Sequence, residues 1–102
     1  MSNPLGLLGL ARRAGRLALG VRAVEEELRH RRAVLLLLAN DAGADATRRV
    51  TRWSEGAGCP PRLTLPYTKE EWGRAMGRDV CALGALTDKG LAAALKQSID
   101  SH

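Results

Sequence analysis

The feature that most constrains the fold is an uninterrupted apolar run at residues 34–38, Val-Leu-Leu-Leu-Leu, in the middle of the chain. These side chains do not alternate with polar ones, as they would in a strand with one face in water. A run of this length without alternation is typical of a central strand that is buried on both faces. Such a strand needs helices on both sides of its sheet, so the run predicts a layered α/β protein.

Periodic apolar residues on either side of the run predict five helices separated by short strands. Thr68 and Glu71 have the spacing of a capping box before the fourth helix. On that helix, Trp72, Ala75 and Met76 form the face that we expect to be buried. The predicted helices cover residues 4–14, about 21–31, a segment after a cap at Asp45 or a neighbour, a segment from about 69 and a segment after a cap at Asp88; the predicted strands cover 17–19, 34–38, 63–65 and 80–86.

This alternation of helices and strands predicts a three-layer α/β/α sandwich around a small mixed sheet. With 102 residues, the chain is expected to form one domain, 1–102. Cys59 and Cys81 are far apart and have no Cys or His nearby, which is neither a zinc pattern nor a redox pair. We expect a cytoplasmic protein without cofactor or metal. The longest apolar run, 33–39, is too short to cross a membrane.

The positive charge of the chain is concentrated in its first half. Residues 1–52 hold ten Arg and five acidic residues, whereas residues 53–102 hold six basic and six acidic residues. A one-sided basic charge is typical of proteins that bind a polyanion such as RNA or DNA. The alternative interpretation is a solvated surface that is rich in Arg for other reasons. Because Trp53, Tyr67 and Trp72 are the only aromatic residues, we do not expect base stacking to be the main binding device.

The densest part of this charge is residues 11–22, Ala-Arg-Arg-Ala-Gly-Arg-Leu-Ala-Leu-Gly-Val-Arg, which joins the first helix to the second. A glycine at a helix start lets the backbone approach a phosphate, and the first-turn N–H groups donate to an anion. Arginines add charge and bidentate donors for phosphates and guanine edges. The alternative is a C-cap glycine, a turn glycine and merely solvated arginines. The residues predicted to contact RNA here are Arg12, Arg13, Gly15, Arg16, Gly20, Val21 and Arg22.

Residues 77–80, Gly-Arg-Asp-Val, are the second candidate for RNA contact. In this interpretation Arg78 binds a phosphate, Val80 rests on a base or sugar, and Asp79 lies between them. The alternative is an ordinary helix-to-strand turn, which the pattern by itself favours. Arg48 and Arg49, on the predicted third helix, are expected to broaden the positive field.

Asn40 and Asp41 follow the buried strand, at the position where open α/β proteins place their chemistry,. Turns need the same residue types, and we favour a turn, with Asn40 kept as an RNA contact. No Ser, Cys or carboxylate has the spacing of a base and nucleophile pair, and His30 lies among arginines at a helix end. We therefore expect no enzyme; a phosphoacceptor or small enzyme that uses Asp41 is the weakest alternative.

Residues 7–20, Leu-Leu-Gly-Leu-Ala-Arg-Arg-Ala-Gly-Arg-Leu-Ala-Leu-Gly, resemble the start of the bacterial YlxQ proteins. These belong to the ribosomal protein superfamily named L-seven-Ae and L-thirty-e. The likeness continues through 34–41, 67–77 and 86–90. It implies an α/β/α fold that binds structured RNA, above all the kink-turn, through residues 20–26 and 77–81. A kink exposes base edges that the deep major groove of regular A-form RNA hides.

The chain departs from the family pattern at the start of the second helix. Kink-turn readers resemble Gly-x-Asn-Glu-x-x-Lys there, and this chain keeps Gly20 and has Arg22 in the Asn position. Ala23 lacks the carboxylate that accepts from a guanine amino group, and Glu26 replaces a cation near phosphate. We expect binding of structured RNA, kink-turn-like or ribosomal, with the ribosome or translation factors as further partners. The alternative is a protein-interaction adaptor of the translation machinery that lost specific RNA recognition.

Overall fold

The computed structural model describes residues 3–100, so residues 1, 2, 101 and 102 of the predicted domain lie outside the described residues. Helices and strands alternate along the chain in the predicted order. The elements are α1 (Pro4–Arg13), β1 (Leu17–Leu19), α2 (Val21–Arg29), β2 (Leu35–Leu38), α3 (Ala44–Ser54), β3 (Arg62–Thr64), α4 (Lys69–Ala75), β4 (Leu83–Leu86) and α5 (Lys89–Asp100).

The four strands form one mixed sheet in the order β1-β4-β2-β3. β4 is antiparallel to both β1 and β2, whereas β2 and β3 are parallel. The ends of β1, β2 and β3 and the start of β4 therefore lie at the same edge, which we call the carboxyl edge. Each of these three strands leads from the carboxyl edge into the next helix, so α2, α3 and α4 all begin there.

The side chains of β2 divide the hydrophobic core into two layers. Leu35 and Leu37 pack with residues of α1, α4 and α5 on one face of the sheet. Leu36 and Leu38 pack with residues of α2 and α3 on the other face. All four leucines are at most 7% exposed, and burial of each contributes about 1.5–3 kcal/mol. The three-layer α/β/α sandwich and the doubly buried central strand are confirmed.

The prediction that β4 begins at residue 80 is wrong, because the ladder with β1 and β2 starts at Leu83. The N–H of Cys81 donates to the carbonyl of Lys69 at 2.9 Å, so α4 holds this segment. Val80 is exposed rather than buried in the sheet. Residues 80–82 are apolar, but they form a loop before the strand, in which Val80 is exposed and Cys81 is buried.

The helix ends show which of the predicted capping residues form caps in the structure. Thr68 and Glu71 form the predicted capping box, and Asp88 caps α5 by accepting from the Leu91 N–H at 2.9 Å. Asp45 does not cap α3: the cap residue is Gly43, and Asp45 lies in the first turn. Trp72 and Met76 are buried as predicted, but Ala75 is exposed, because α4 ends there. Both ends of β1 agree with the prediction, and the remaining boundaries differ by at most two residues, as at α2, which ends at Arg29.

Candidate nucleic-acid interface

α2 begins at the carboxyl edge with an open N-terminus. Its cap residue, Gly20, has a φ of +88°, and no side chain within residues 3–100 bonds to the first-turn N–H groups. The N–H of Gly20 donates to the carbonyl of Leu83 at 3.1 Å, which fixes the turn to β4. Val21 is partly buried, whereas Arg22 is exposed. The positive end of the helix dipole and its free N–H groups are thus available to an anion.

Arg78 lies close to this helix start, and Arg12 lies close to the loop after α4 that carries Arg78. A Cβ on Gly20 would lie 4.0 Å from Nη1 of Arg78, and a Cβ on Gly77 would lie 3.7 Å from Nη1 of Arg12. Burial raises the pKa of the Cys81 thiol to about 11, and the positive charges of Arg78 and Arg12 oppose that rise. The end of α1, the start of α2 and the loop after α4 therefore bring their positive charges together.

The loop that carries Arg78 and Val80 is fixed by a close backbone contact with α4. A Cβ on Gly73 would lie 2.7 Å from the Cα of Val80, which real side chains essentially never tolerate. The N–H of Arg78 donates to the carbonyl of Gly73 at 2.7 Å. Val80 is 53% exposed, and Asp79 is exposed beside it. An exposed apolar side chain next to cations is suited to contact with a ribose or an unstacked base.

Sequence analysis did not identify Gly73 as a determinant of this site. A signal was present, because glycine within a helix costs about 1 kcal/mol relative to alanine and often marks a close backbone approach. α4 has only seven residues, so such a cost is large for its length. The partner of Gly73 is seven positions further along the chain, and local patterns do not reveal it.

Asn40 and Asp41 lie at the same edge, beside the loop after α4. The N–H of Ala39 donates to the carbonyl of Ala82, and the N–H of Asn40 donates to the carbonyl of Tyr67, both at 2.9 Å. The side chain of Asn40 is exposed. Asp41 Oδ1 accepts from the N–H of Lys69 at 2.7 Å. The Asp41 carboxylate therefore supports the start of α4, in agreement with the turn that we favoured.

Residues 11–22 do not form a single loop, because β1 divides them. Gly15 has a φ of +73°. The N–H groups of Gly15 and Arg16 return to α1 carbonyls at 3.1 and 2.8 Å, a Schellman cap,. The carbonyl of Arg16 accepts from Thr87 after β4, so Arg16 lies roughly 13 Å along the strand from Gly20. Arg13 is exposed at the end of α1.

The arginines of α3 differ in how their charges are used. Arg48 is exposed, and within residues 3–100 it forms no ion pair or side-chain hydrogen bond. Arg49 Nε lies 3.1 Å from Asp45 Oδ2, so its charge is offset on its own helix. Arg48 therefore adds positive field on the face that α3 shares with α2, and Arg49 adds less.

Two of the three acidic residues of α2 are engaged at the opposite end of that helix, whereas Glu25 is exposed and forms no ion pair within residues 3–100. Glu26 lies 3.0 Å from Arg29 and 2.8 Å from His30. Glu27 lies 2.7 Å from Arg32, and this hydrogen bond lowers the pKa of Glu27. In the described part of the chain, no carboxylate pairs with the guanidinium groups around the start of α2. The unpaired arginines near this edge are Arg12, Arg22 and Arg78.

Other classes of site find little support in the described residues. Across residues 3–100, no three His, Cys, Asp or Glu side chains gather in a group that could hold a metal ion. In the same range, no helix combines the length and apolar character that crossing a membrane requires. The cationic surface around Gly20 is therefore the candidate site that the fold assembles, and its pattern of unpaired arginines is typical of nucleic-acid interfaces.

Fold and site together define a small basic α/β/α sandwich whose cations gather at a glycine-capped helix start. The RNA-binding protein YlxQ of Bacillus subtilis (strain 168) is 35% identical to the chain in an alignment of 98 positions that covers 92% of each protein. The chain belongs to the YlxQ family, which confirms the resemblance that residues 7–20 indicated. No protein-family model matches the chain.

Solved structures share the same fold over nearly the whole chain. A protein of unknown function from Bacillus halodurans C has a TM-score of 0.83 and 27% identity, and the match covers 98% of this chain and 99% of that one. The Giardia lamblia 15.5kD RNA binding protein has a TM-score of 0.66 and 16% identity, over 95% and 82% of the two chains. At that identity the second likeness establishes the fold alone.

Proposed function

We propose that this protein binds structured RNA at the carboxyl edge and catalyses no reaction. The observation that carries the proposal is a group of three arginines without an ionic partner in the described chain. Arg22 and Arg78 lie at the open start of α2, and Arg12 lies beside Gly77 in the loop after α4. The name of the Bacillus subtilis relative, an RNA-binding protein, supports the same assignment.

In the proposed complex, the first turn of α2 receives a phosphate. Glycine at position 20 leaves space for the RNA backbone, and the N–H groups of the turn donate to phosphate oxygens. Arg22 and Arg78 bind further phosphates or the O6 and N7 edge of a guanine. Val80 contacts a ribose or an unstacked base, and Asn40 offers a polar side chain at the same edge.

For the RNA itself, we propose a bent element such as a kink-turn, or a comparable bend in ribosomal RNA. A bend is required because regular A-form RNA hides its base edges in a deep, narrow major groove. Glu26 replaces a cation of the family pattern, but the ion pair with Arg29 offsets its negative charge. On this proposal the protein works in the cytoplasm with the ribosome or translation factors.

The arginines at the start of α2 provide the direct test. We expect Arg22→Ala combined with Arg78→Ala to raise the Kd for a kink-turn RNA more than tenfold at fixed salt, because each lost charge-assisted bond is worth about 1.5–3 kcal/mol. Filter binding or fluorescence anisotropy measures the change. Lys89→Ala combined with Lys96→Ala is the matched control, since it removes two exposed positive charges from α5 on the other face of the sheet. An unchanged Kd in the double variant would contradict the site.

A protein-interaction adaptor is the second candidate function, favoured by Ala23 and Glu26 at positions where RNA readers of this superfamily place an acid and a cation. Salt titration separates the two candidates. RNA binding through several phosphates makes log Kd rise steeply with log salt, by about 0.7–0.9 per phosphate contact. Capture of translation proteins that survives ribonuclease, together with RNA affinity that hardly depends on salt, would support the adaptor.

A further inference from the structure

A cleft of about 580 Å³ opens between the C-terminal ends of α2 and α3. Both helices start at the carboxyl edge, so the cleft lies at the opposite edge of the sheet, away from Gly20. Its size falls in the range of small-ligand sites. Nothing in the proposed contact at Gly20 uses it. Its apolar wall includes Leu28, Ala33, Trp53 and Pro60, and its cations are Arg31 and Arg52.

The charged and apolar parts of this cleft are both available to a ligand. Arg31 and Arg52 are exposed, and within residues 3–100 neither forms an ion pair or a side-chain hydrogen bond. Trp53 is half-buried, so part of its indole faces the opening. An indole beside two guanidinium groups suits a ligand that combines a flat ring with an anionic group.

The backbone of Arg31 gives an independent reason to look at this cleft. Arg31 has a φ of +58°, in the left-handed region. The N–H groups of Arg31 and Arg32 return to the carbonyls of Leu28 and Glu27 at 3.1 and 2.9 Å, which is a Schellman cap. Glycine is the usual residue at this position of the motif. The left-handed backbone is less favourable for arginine than for glycine, and arginine at this position places a guanidinium group at the cleft.

A row of two cations on α3 runs from the middle of the helix to the cleft. Arg48 and Arg52 are four residues apart on α3, so they share one face of the helix. Both are exposed, and neither is paired within the described residues. α3 has eleven residues, which corresponds to about 16 Å. A short single strand that follows this row would reach the cleft from the start of α3.

We propose that the cleft binds an unpaired nucleotide next to the folded RNA element, with the base against Trp53 and the phosphates on Arg31 and Arg52. The inference rests on the proposed function, and it adds single-stranded RNA at a second place. An acidic peptide would satisfy the two arginines but would leave the indole without a planar partner. The observations therefore favour a nucleotide, since it supplies a ring and a charge together.

The test compares a blunt-ended kink-turn RNA with the same RNA carrying a short oligouridine extension. We expect the extension to lower the Kd of the natural protein about tenfold, because stacking of one base is worth that much or more. Trp53→Leu and Arg31→Gly should lose this gain and bind the blunt RNA as before, whereas Lys96→Ala should keep it. Equal affinity of the natural protein for both RNAs would overturn the inference and leave the proposed function intact.

A second measurement decides the case even when the kink-turn RNA is not bound. Oligouridine alone is added to the protein while the intrinsic tryptophan fluorescence is recorded. Trp72 is fully buried, whereas Trp53 is partly exposed and can respond to the ligand. Quenching that disappears in Trp53→Leu supports the cleft. Quenching by an oligoglutamate peptide but not by oligouridine assigns the cleft to an acidic protein partner and overturns the inference. Absence of quenching by either overturns it as well.

Arg31→Gly also separates binding from folding. Glycine adopts the left-handed backbone without a Cβ penalty, so the Tm of this variant should be equal to or higher than that of the natural protein. A lower Tm would show that Arg31 is present for stability, which contradicts its assignment as a ligand-binding residue. A preserved Tm with loss of the extension effect supports it.

The two cysteines allow the contact to be located directly. Cys59 is exposed and lines the cleft, whereas Cys81 is buried, and burial raises the pKa of its thiol to about 11. A photo-crosslinker with a maleimide group should therefore react with Cys59 alone near neutral pH. We expect the label to crosslink to the oligouridine extension. Crosslinking confined to the kink-turn stem would overturn the inference, and Cys59→Ser is the control for label position.

Discussion

The two ends of α2 carry similar residues and differ in what those residues can bind. At its start, Arg22 is exposed next to the open cap at Gly20, and no carboxylate of the described chain pairs with it. At its end, Glu26 and Glu27 hold Arg29, His30 and Arg32 within 2.7–3.0 Å. These distances separate arginines that are available to an anion from arginines that already have one.

The difference comes from spacing along one short helix. Carboxylates meet cations three or four residues further along, so Glu26 reaches Arg29 and His30,. Glu25 and Glu26 lie three and four residues after Arg22, which is the less favourable order for an ion pair, and neither pairs with it,. A formal charge therefore says little about binding until its local partners are known. The density of arginine in residues 11–22 indicated the region, and the engagement of Glu26 with Arg29 and His30 leaves Arg22 available.

Charge reversal at the two ends gives the largest expected contrast. Arg22→Glu should raise the Kd for a blunt kink-turn RNA by about a hundredfold, because it removes a cation and adds repulsion at the phosphate site. Arg29→Glu makes the same change in charge at the other end and should change Kd by less than about threefold, as expected for an exposed pair. Anisotropy titrations at one salt concentration measure both. Comparable losses in the two variants would remove the distinction between the ends.

Gly73 tests whether the first end depends on the loop after α4. Gly73→Ala places a Cβ where the backbone of Val80 lies, at 2.7 Å. We expect a loss of about 1–3 kcal/mol in the free energy of unfolding and weaker RNA binding, since the loop carries Arg78. Thermal and RNA titrations measure the two effects. The control is Gly9→Ala in α1, where no atom lies within 4 Å of the added Cβ; a similar loss there would argue against the close contact as the cause.

The smallest effect is expected at the C-terminal end of α2, where the arginines already form ion pairs. Glu27→Gln removes the ion pair with Arg32 and should lower Tm by roughly 1–4 °C at neutral pH. The fold lowers the pKa of Glu27. Its contribution is therefore present above the usual carboxyl pKa and is lost as the pH falls through the lowered value. Melting curves between neutral and strongly acidic pH should converge for the two proteins, and RNA affinity should stay unchanged. A difference in Tm that persists at acidic pH would contradict the ion-pair explanation.

Local patterns were sufficient to predict most of the fold. The apolar run of β2, the capping box at Thr68 and the cap at Asp88 each depend on residues within a few positions, and the structure agrees with all three. The strand predicted from residue 80 was wrong because the Cys81 N–H bonds to a residue twelve positions earlier. Composition and hydrophobic period do not report such a pairing.

The same distinction applies to the site: local patterns predicted some of its residues, and contacts between distant segments determine the rest. Gly20 and Arg22 were predicted from the helix start itself, and the structure places them together. The approach of Arg78 to Gly20, and of Arg12 to Gly77, joins segments that are far apart in sequence. The separation of Arg16 from Gly20 depends on β1, a three-residue strand whose partner β4 lies near the other end of the chain. Whether these residues contact RNA stays a prediction for the binding experiments.

The placement of three helix starts at one edge of the sheet has a consequence for how such a protein changes over generations. The leucines of β2 that stabilise the fold are buried in the core, whereas the side chains of Arg22, Asn40 and Arg78 are exposed at the carboxyl edge. Substitutions at these outer positions can therefore redirect recognition while the melting temperature stays nearly constant. Libraries randomised only there would explore new targets on an unaltered scaffold.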